Sequence, residues 1–151
     1  MSLLGNIVWF IFGGFIAGIT WWLIGMVALV TIVGIPWARS CFVIGYMSFL
    51  PFGKEVIDRE ELTQHEDIGT GVFGSIGNII WFVLAGWWLA LGHLLIAIAQ
   101  AVTIILIPFA VQHLKLAGVS LVPVGKTVVD KHLANAAKKS DAQRRLDELR
   151  G

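Results

Sequence analysis

Gly5-Asn6-Ile7-Val8-Trp9-Phe10 opens the chain and returns 72 residues later as Gly77-Asn78-Ile79-Ile80-Trp81-Phe82. Followed outward from this stretch, the match holds without a gap from residues 5–57 to residues 77–129, with 19 of 53 positions identical. Leu23-Ile24 recurs as Leu95-Ile96, Val30-Thr31-Ile32 as Val102-Thr103-Ile104, and Ile35-Pro36 as Ile107-Pro108. Ser48, Pro51, Gly53-Lys54 and Val56 recur as Ser120, Pro123, Gly125-Lys126 and Val128. An internal repeat of this length means that one structural unit was made twice. The chain divides into a first repeat, 1–57, an acidic linker, 58–76, a second repeat, 77–129, and a polar, basic tail, 130–151.

Composition says where such a unit lives. Hydrophobic residues make up 57% of the 151 and charged residues only 14%, against about 45–50% and about 25% in soluble proteins. Mean hydropathy is +0.81. The first 38 residues carry no charge, residues 54–67 sum to −4 and residues 126–151 to +3. An integral membrane protein follows, and a soluble monomer is excluded. The uncharged N-terminal run is too long for a signal-peptide core and has no basic flank, so it reads as a retained membrane segment. A single cysteine, Cys41, excludes an internal disulfide.

Each repeat holds an uncharged run, 3–37 and 76–111. At about 20 residues per crossing, a run this long is over-length for one span and short for two. Trp21-Trp22 and Trp87-Trp88 lie near the middle of the runs, and tryptophan favours the headgroup level. The expectation is therefore a helical hairpin in each repeat, with spans at 4–18 and 21–36, then 77–91 and 93–109, and its apex at the tryptophans. A re-entrant hairpin that turns back without crossing stays open. Residues 37–50 and 109–122, shorter and more polar, read as interfacial helices, and the last 25 residues as a solvated helix. The fold class is thus an all-α integral membrane protein of two tandem repeats, each a hairpin plus an interfacial helix, followed by a cytoplasmic C-terminal helix. Basic residues gather in the tail, and Lys54 and Arg59 at the start of the linker are the other soluble ones, so linker and both termini are expected on the cytoplasmic side.

Pro36-Trp37-Ala38-Arg39-Ser40-Cys41, Leu50-Pro51-Phe52-Gly53 and Gly86-Trp87-Trp88-Leu89-Ala90-Leu91-Gly92-His93, continuing to Gln100 and Ile107-Pro108, are where the chain resembles the YccF family of bacterial inner membrane proteins. The resemblance covers about Gly5 to Val129. It implies a multi-pass protein of the bacterial inner membrane and carries no settled activity with it.

His93 and Gln100 bring the strongest hydrogen-bonding capacity into the apolar runs. Seven residues apart, they share a helix face, as pore-lining groups or as glue between helices. Thr31 and Thr103, matched by the duplication, are further candidates for a passage, against a purely structural role. Arg39 and Lys115, with Trp21, Trp22, Trp87 and Trp88, are candidate lipid and interface contacts. The acidic linker, with Glu60, Glu61, His65, Glu66 and Asp67, lacks the spacing of a calcium loop, and neither a metal nor a cofactor is expected. No nucleophile with a base is present, so an enzyme is not expected. The tail's basic groups alternate with acids and lack aromatics, which favours anionic headgroups over nucleic acid. The leading reading is a homo-oligomer offering a passage to a small ion or solute; the alternative is a non-conducting scaffold that binds a partner.

Overall fold

The computed structural model describes residues 2–31 and 34–151. Ile32, one of the positions matched by the duplication, lies outside the described residues. Helix α1, Ser2–Trp9, continues through a π-helical turn, Phe10–Gly14, into α2, Phe15–Val30. Helix α3, Ile35–Phe49, leads to strand β1, Lys54–Asp58, and the short α4, Arg59–Thr63. The second repeat follows the same plan: α5, Val72–Trp81; a π-helical turn, Phe82–Gly86; α6, Trp87–Val102; α7, Ile107–Leu121; strand β2, Lys126–Asp130; and α8, Lys131–Arg150.

The two repeats are joined by an antiparallel ribbon in which Val56 faces Val128, Lys54 faces Asp130 and Asp58 faces Lys126. Exchanging the repeats returns the Val56–Val128 pair to itself and swaps the other two, so a pseudo-two-fold axis passes through the Val56–Val128 pair. Interactions around the ribbon obey it. Lys54 Nζ donates to Asp130 at 2.8 Å and Lys126 Nζ to Asp58 at 2.8 Å. Arg59 N donates to Gly125 O and Lys131 N to Gly53 O, at 2.8 and 3.0 Å. Asp58 and Asp130 both precede a helix, and neither caps it with its side chain; the carboxylates are occupied by the lysines across the ribbon.

The most specific repeated residues form a clasp that is also made twice. Asn6 Nδ2 donates to Phe52 O at 3.1 Å and Asn6 Oδ1 accepts from Phe52 N at 2.9 Å; Asn78 treats Val124 identically, at 3.0 and 2.9 Å. One helical turn on, Trp9 Nε1 donates to Ser48 O at 2.6 Å and Trp81 Nε1 to Ser120 O at 2.8 Å. The clasped segment turns at Gly53 and Gly125, with φ of 83° and 90°, a region open to glycine without a Cβ penalty. The clasp pins the start of each long helix to the segment that enters the ribbon.

Two expectations are corrected. No chain reversal occurs at Trp21-Trp22: α2 runs through them to Val30 and α6 runs through Trp87-Trp88 to Val102. The reversal comes between α2 and α3, which pack antiparallel. Gly18 abuts Phe49 at one end of the pair, and Gly25 abuts Ala38 and Cys41 towards the other. Trp21 is only 7% exposed and sits 6.3 Å from the Trp81 ring, so its mid-run position reflects packing between repeats and not a headgroup level. The second correction concerns 37–50 and 109–122. Helices form there, but as the buried centre of the molecule: Cys41, Ile44, Met47, Leu116 and Val119 make the main core with Trp9 and Trp21. Ser40, Ser48, Gln112 and Ser120 are buried too. Ser48 Oγ donates to Ile44 O and Gln112 Nε2 to Pro108 O, so part of this polarity is spent on the helices' own backbone. The ribbon itself adds two strands to a fold expected to be all-α.

Both ends of α3 lie at the ribbon. Its C-terminus passes through Pro51–Gly53 into β1, and at its N-terminal end Trp37 Nε1 donates to Gly77 O at 3.1 Å while Pro36 and Arg39 share a cavity with Gly125 and Arg59. In α7, Phe109 stacks on Trp9 and packs edge-on to Phe52 beside the start of β1. The two short helices therefore lie across the ribbon, and α2 and α6, paired along them, do the same. The outer faces of the long helices remain apolar and exposed, with Phe12, Ile16, Val27, Leu84 and Leu95 among them.

The linker folds back on itself. Arg59 binds Asp67 with two hydrogen bonds, Nε at 2.7 Å and Nη2 at 2.5 Å, and the same carboxylate receives Gly69 N and Thr70 N at 2.7 and 3.0 Å.

Two predictions follow from these contacts. Asn78→Ala strips Val124 of both partners, and at about 1–3 kcal/mol per orphaned buried group it lowers stability by about 2–6 kcal/mol, read as a fall in the unfolding midpoint in detergent; Asn78→Asp, which keeps the acceptor for Val124 N, costs less. The Arg59 guanidinium and the turn amides hold the Asp67 carboxyl at about 2, below its ordinary 3.8. A depressed carboxylate stabilises the folded form above its unfolded pKa and loses that contribution as pH falls through the folded value. Amide exchange in residues 64–71 is therefore flat from pH 7 to about 4, after allowance for intrinsic rates, and rises towards pH 2. In Asp67→Asn it is raised throughout.

Candidate intramembrane site

The polar groups singled out in the apolar runs do not gather as a set. Thr31 and Thr103 end the long helices and are exposed. Thr31 Oγ1 donates to Ala28 O at 2.9 Å, and Thr103 Oγ1 donates to Gln100 O at 2.7 Å while accepting from Leu106 N. They satisfy the turn's own backbone. Lys115 Nζ donates to Lys54 O at 2.9 Å and lies 3.7 Å from Glu55, so it props β1 from below. Arg39 is exposed at the lip of the cavity it shares with Pro36, Arg59 and Phe73. Trp22 Nε1 reaches Phe42 O at 3.3 Å. Trp87 and Trp88 stack at 3.7 Å on the outer surface.

His93 and Gln100 do come together, and in company. Both face a cavity of about 290 Å³ where the first repeat's helix bend meets α6 and α7 of the second. Gly13 makes the bend: its φ of 152° breaks the helix that α1 and α2 would otherwise form, a geometry open to glycine. Opposite the bend, His93 on α6 and His113 on α7 meet with their Nδ1 atoms 3.0 Å apart. Two ring nitrogens at that distance share one proton, so one imidazole donates and the other accepts. The Trp9 ring lies 4.9 Å from that of His113 and, held by its bond to Ser48 O, forms a rigid wall.

Gln100 Oε1 is buried and has no hydrogen-bond partner among the described residues. An unpaired buried carbonyl forfeits about 1–3 kcal/mol, and Gln112 Oε1 and Ser120 Oγ are unpaired in the same way. Ile96, Phe109 and Leu116 complete the wall, with Phe12 at the rim, 85% exposed on the apolar surface. The cavity thus opens where the molecule is greasy.

The site has no twin. At the positions related by the duplication, His93, Gln100 and His113 correspond to Trp21, Ala28 and Cys41, and Trp21 fills the space with its ring. His113, Trp9 and the Gly13 bend were not among the expected site residues. The signal for His113 lay in its replacement of a buried Cys41, a change hidden while 109–122 reads as an interfacial helix.

Comparison with known proteins agrees with this duplicated, greasy architecture. The profile described as "YccF: Inner membrane component domain" matches twice, over residues 4–54 and 76–126. The protein named "Inner membrane protein YccF" in Escherichia coli (strain K12) is 39% identical over 145 residues, covering 94% of this chain and 97% of the relative. The protein of that name in Shigella flexneri matches to the same extent. No solved structure matches. The two profile matches fall on the two halves of the pseudo-two-fold, and the chain belongs to the YccF family of inner membrane proteins.

Proposed function

We propose that this protein is a non-conducting membrane component that occupies one leaflet and holds its ribbon, linker and C-terminal helix as a docking platform at the cytoplasmic face. One observation carries the reading: both ends of α3 and of α7 lie at the ribbon, so the helices run across it. With interaxial distances of 8–10 Å, a stack of at most two helices reaches about 20 Å below the ribbon, short of the roughly 30 Å hydrocarbon core. The helix ends farthest along the chain from the ribbon support it. Val30, Val102 and Ile105 are 84%, 79% and 84% exposed, and the turns carry no charge. Irregular backbone in hydrocarbon must satisfy its polar groups internally, as Thr31 and Thr103 help to do. The charged groups concentrate on the other side, in the ribbon, linker and α8, whose Lys138, Lys139, Arg145 and Arg150 suit an anionic cytoplasmic surface.

A second reading, a homo-oligomer that passes a small ion or solute, draws on the His93–Gln100 cavity and on the wide apolar faces of α2 and α6, which a second copy would cover. It requires a route through the full bilayer.

Cysteine accessibility separates the two. In a Cys41→Ala background, Val30→Cys and Ile105→Cys resist a membrane-impermeant maleimide from both sides of intact vesicles, while Lys138→Cys reacts only from the cytoplasmic side. Periplasmic labelling at 30 or 105 overturns the one-leaflet reading. On the passage reading, liposomes containing the protein leak ions faster than empty ones and Gln100→Leu slows the leak; on ours both rates equal that of empty liposomes.

A further inference from the structure

The pseudo-two-fold supplies a comparison inside the chain. In the second half, the linker seats its own anion beside the ribbon: the Asp67 carboxylate accepts from Arg59 Nε and Nη2 and from the amides of Gly69 and Thr70. Gly69 O abuts Gly74 and Gly125, so the linker backbone packs into that corner. Under the duplication the mates of Arg59, Gly74 and Gly125 are Lys131, Ser2 and Gly53, and these three line an open cavity of about 660 Å³. The corner that holds a carboxylate in one half is a cavity in the other.

Its charge suits an anion. Lys54, Asp130, His132 and Asn135 line the cavity together with Lys131. Asp130, the one carboxylate among these, is held by Lys54 at 2.8 Å, and Lys131 has no carboxylate partner among the described residues. Two lysines against one aspartate leave one net positive charge, with His132 counted neutral. The place of His132 is taken in the other half by Glu60, so the open corner lacks an acid that the filled corner carries. The His132 ring and the Asn135 amide add N–H donors. An apolar groove of about 520 Å³ adjoins: it shares Ser2, Phe52 and Gly53 with the cavity and continues along Leu4, Val8, Pro108 and Phe109. Leu4 is 69% exposed, so the groove opens on the apolar outer surface. A basic cavity joined to such a groove has the outline of a phospholipid, phosphate in the first and acyl chain in the second, whereas a soluble phosphate would use only the first. An ammonium-bearing head group would find no unpaired carboxylate there, which favours an acidic one.

We propose that the cavity between the starts of α1 and α8 binds the phosphate of one acidic phospholipid, with an acyl chain along Leu4, Val8 and Phe109. Lys131 takes the phosphate as Arg59 takes Asp67, by a charge-assisted hydrogen bond. His132 and Asn135 donate to its other oxygens or to head-group hydroxyls, and α8 is thereby tied to the bilayer surface. The site occurs once per chain, because the linker fills its mate. It rests on the proposed placing of the ribbon at headgroup level, and not on how deep the helices reach.

The test measures retention of radiolabelled lipid by the intact chain, immobilised in detergent micelles, for dioleoyl phosphatidylglycerol against dioleoyl phosphatidylethanolamine, which differ only in head group. Saturable retention of one phosphatidylglycerol per chain is expected, about 5-fold tighter than phosphatidylethanolamine, the worth of about one unit charge at a lipid surface. Lys131→Gln weakens phosphatidylglycerol binding about 5-fold. His132→Glu, which installs the residue that the other half carries, erases the preference. Lys138→Gln and Lys139→Gln, on the same helix outside the cavity, leave binding unchanged. Each variant is first required to keep the wild-type elution profile and unfolding midpoint; if Lys131→Gln fails this, Lys131→Met replaces it. Equal retention of the two lipids, undiminished binding by a folded Lys131 variant, or an equal loss in Lys138→Gln, which would mean diffuse attraction to a basic helix, overturns the proposal. So does displacement of the lipid by an equal concentration of glycerol phosphate, which would mean a site for a soluble phosphate. None of these outcomes bears on the maleimide pattern at residues 30 and 105, so the two readings fail separately.

Discussion

The pairing of β1 with β2 about the Val56–Val128 contact sets the geometry of the whole chain. Five residues from each repeat, with lysine and aspartate exchanged across the ribbon, bring two units into a defined two-fold relation. Each exposed lysine–aspartate pair is worth little by itself. Its use lies in register: a slip of one residue would turn each strand's side chains to the opposite face and set lysine against the wrong partner. Once the register holds, α3 and α7 are fixed across the ribbon by the segments that feed it, and the long helices follow because they pack along α3 and α7.

A hydrophobic layer built this way needs internal order from polar groups as much as from burial. In lipid, apolar side chains gain little by meeting each other, so helix association rests on close contact and hydrogen bonds. The Asn6 and Asn78 clasps, the Trp9 and Trp81 indole bonds and the glycines that let α2 approach α3 supply both. The asparagines, the tryptophans and Ser48 with Ser120 are identical in the two repeats, whereas Gly18 and Gly25 are replaced by Ala90 and Ala97.

The duplication, the membrane setting and the helical segments could all be read in the sequence, because composition and repetition are local. What could not be read was which face of each segment meets which neighbour. Trp21 looked like an interface marker, since tryptophan is amphipathic and the run is over-length, yet its ring is spent against Trp81. The polar residues of α3 and α7 looked like headgroup contacts, since burial and interfacial exposure both tolerate serine and glutamine. Of the candidate site, the His93–Gln100 face followed from helical spacing. The meeting of His93 with His113 depends on tertiary packing, and the opening at Gly13 depends on a single backbone angle. Asp58 and Asp130, one residue beyond the quoted match, extend the repeat into the ribbon that explains it.

The pseudo-two-fold also speaks about descent. A unit whose ribbon strand pairs with its own copy, with lysine and aspartate at opposite ends, is self-complementary, so two separate copies of the unit have what is needed to form the same ribbon. Joining the copies into one polypeptide removed the obligation to keep them equal. One half holds tryptophan and alanine where the other holds histidine and glutamine, and a symmetric shell surrounds a lopsided interior.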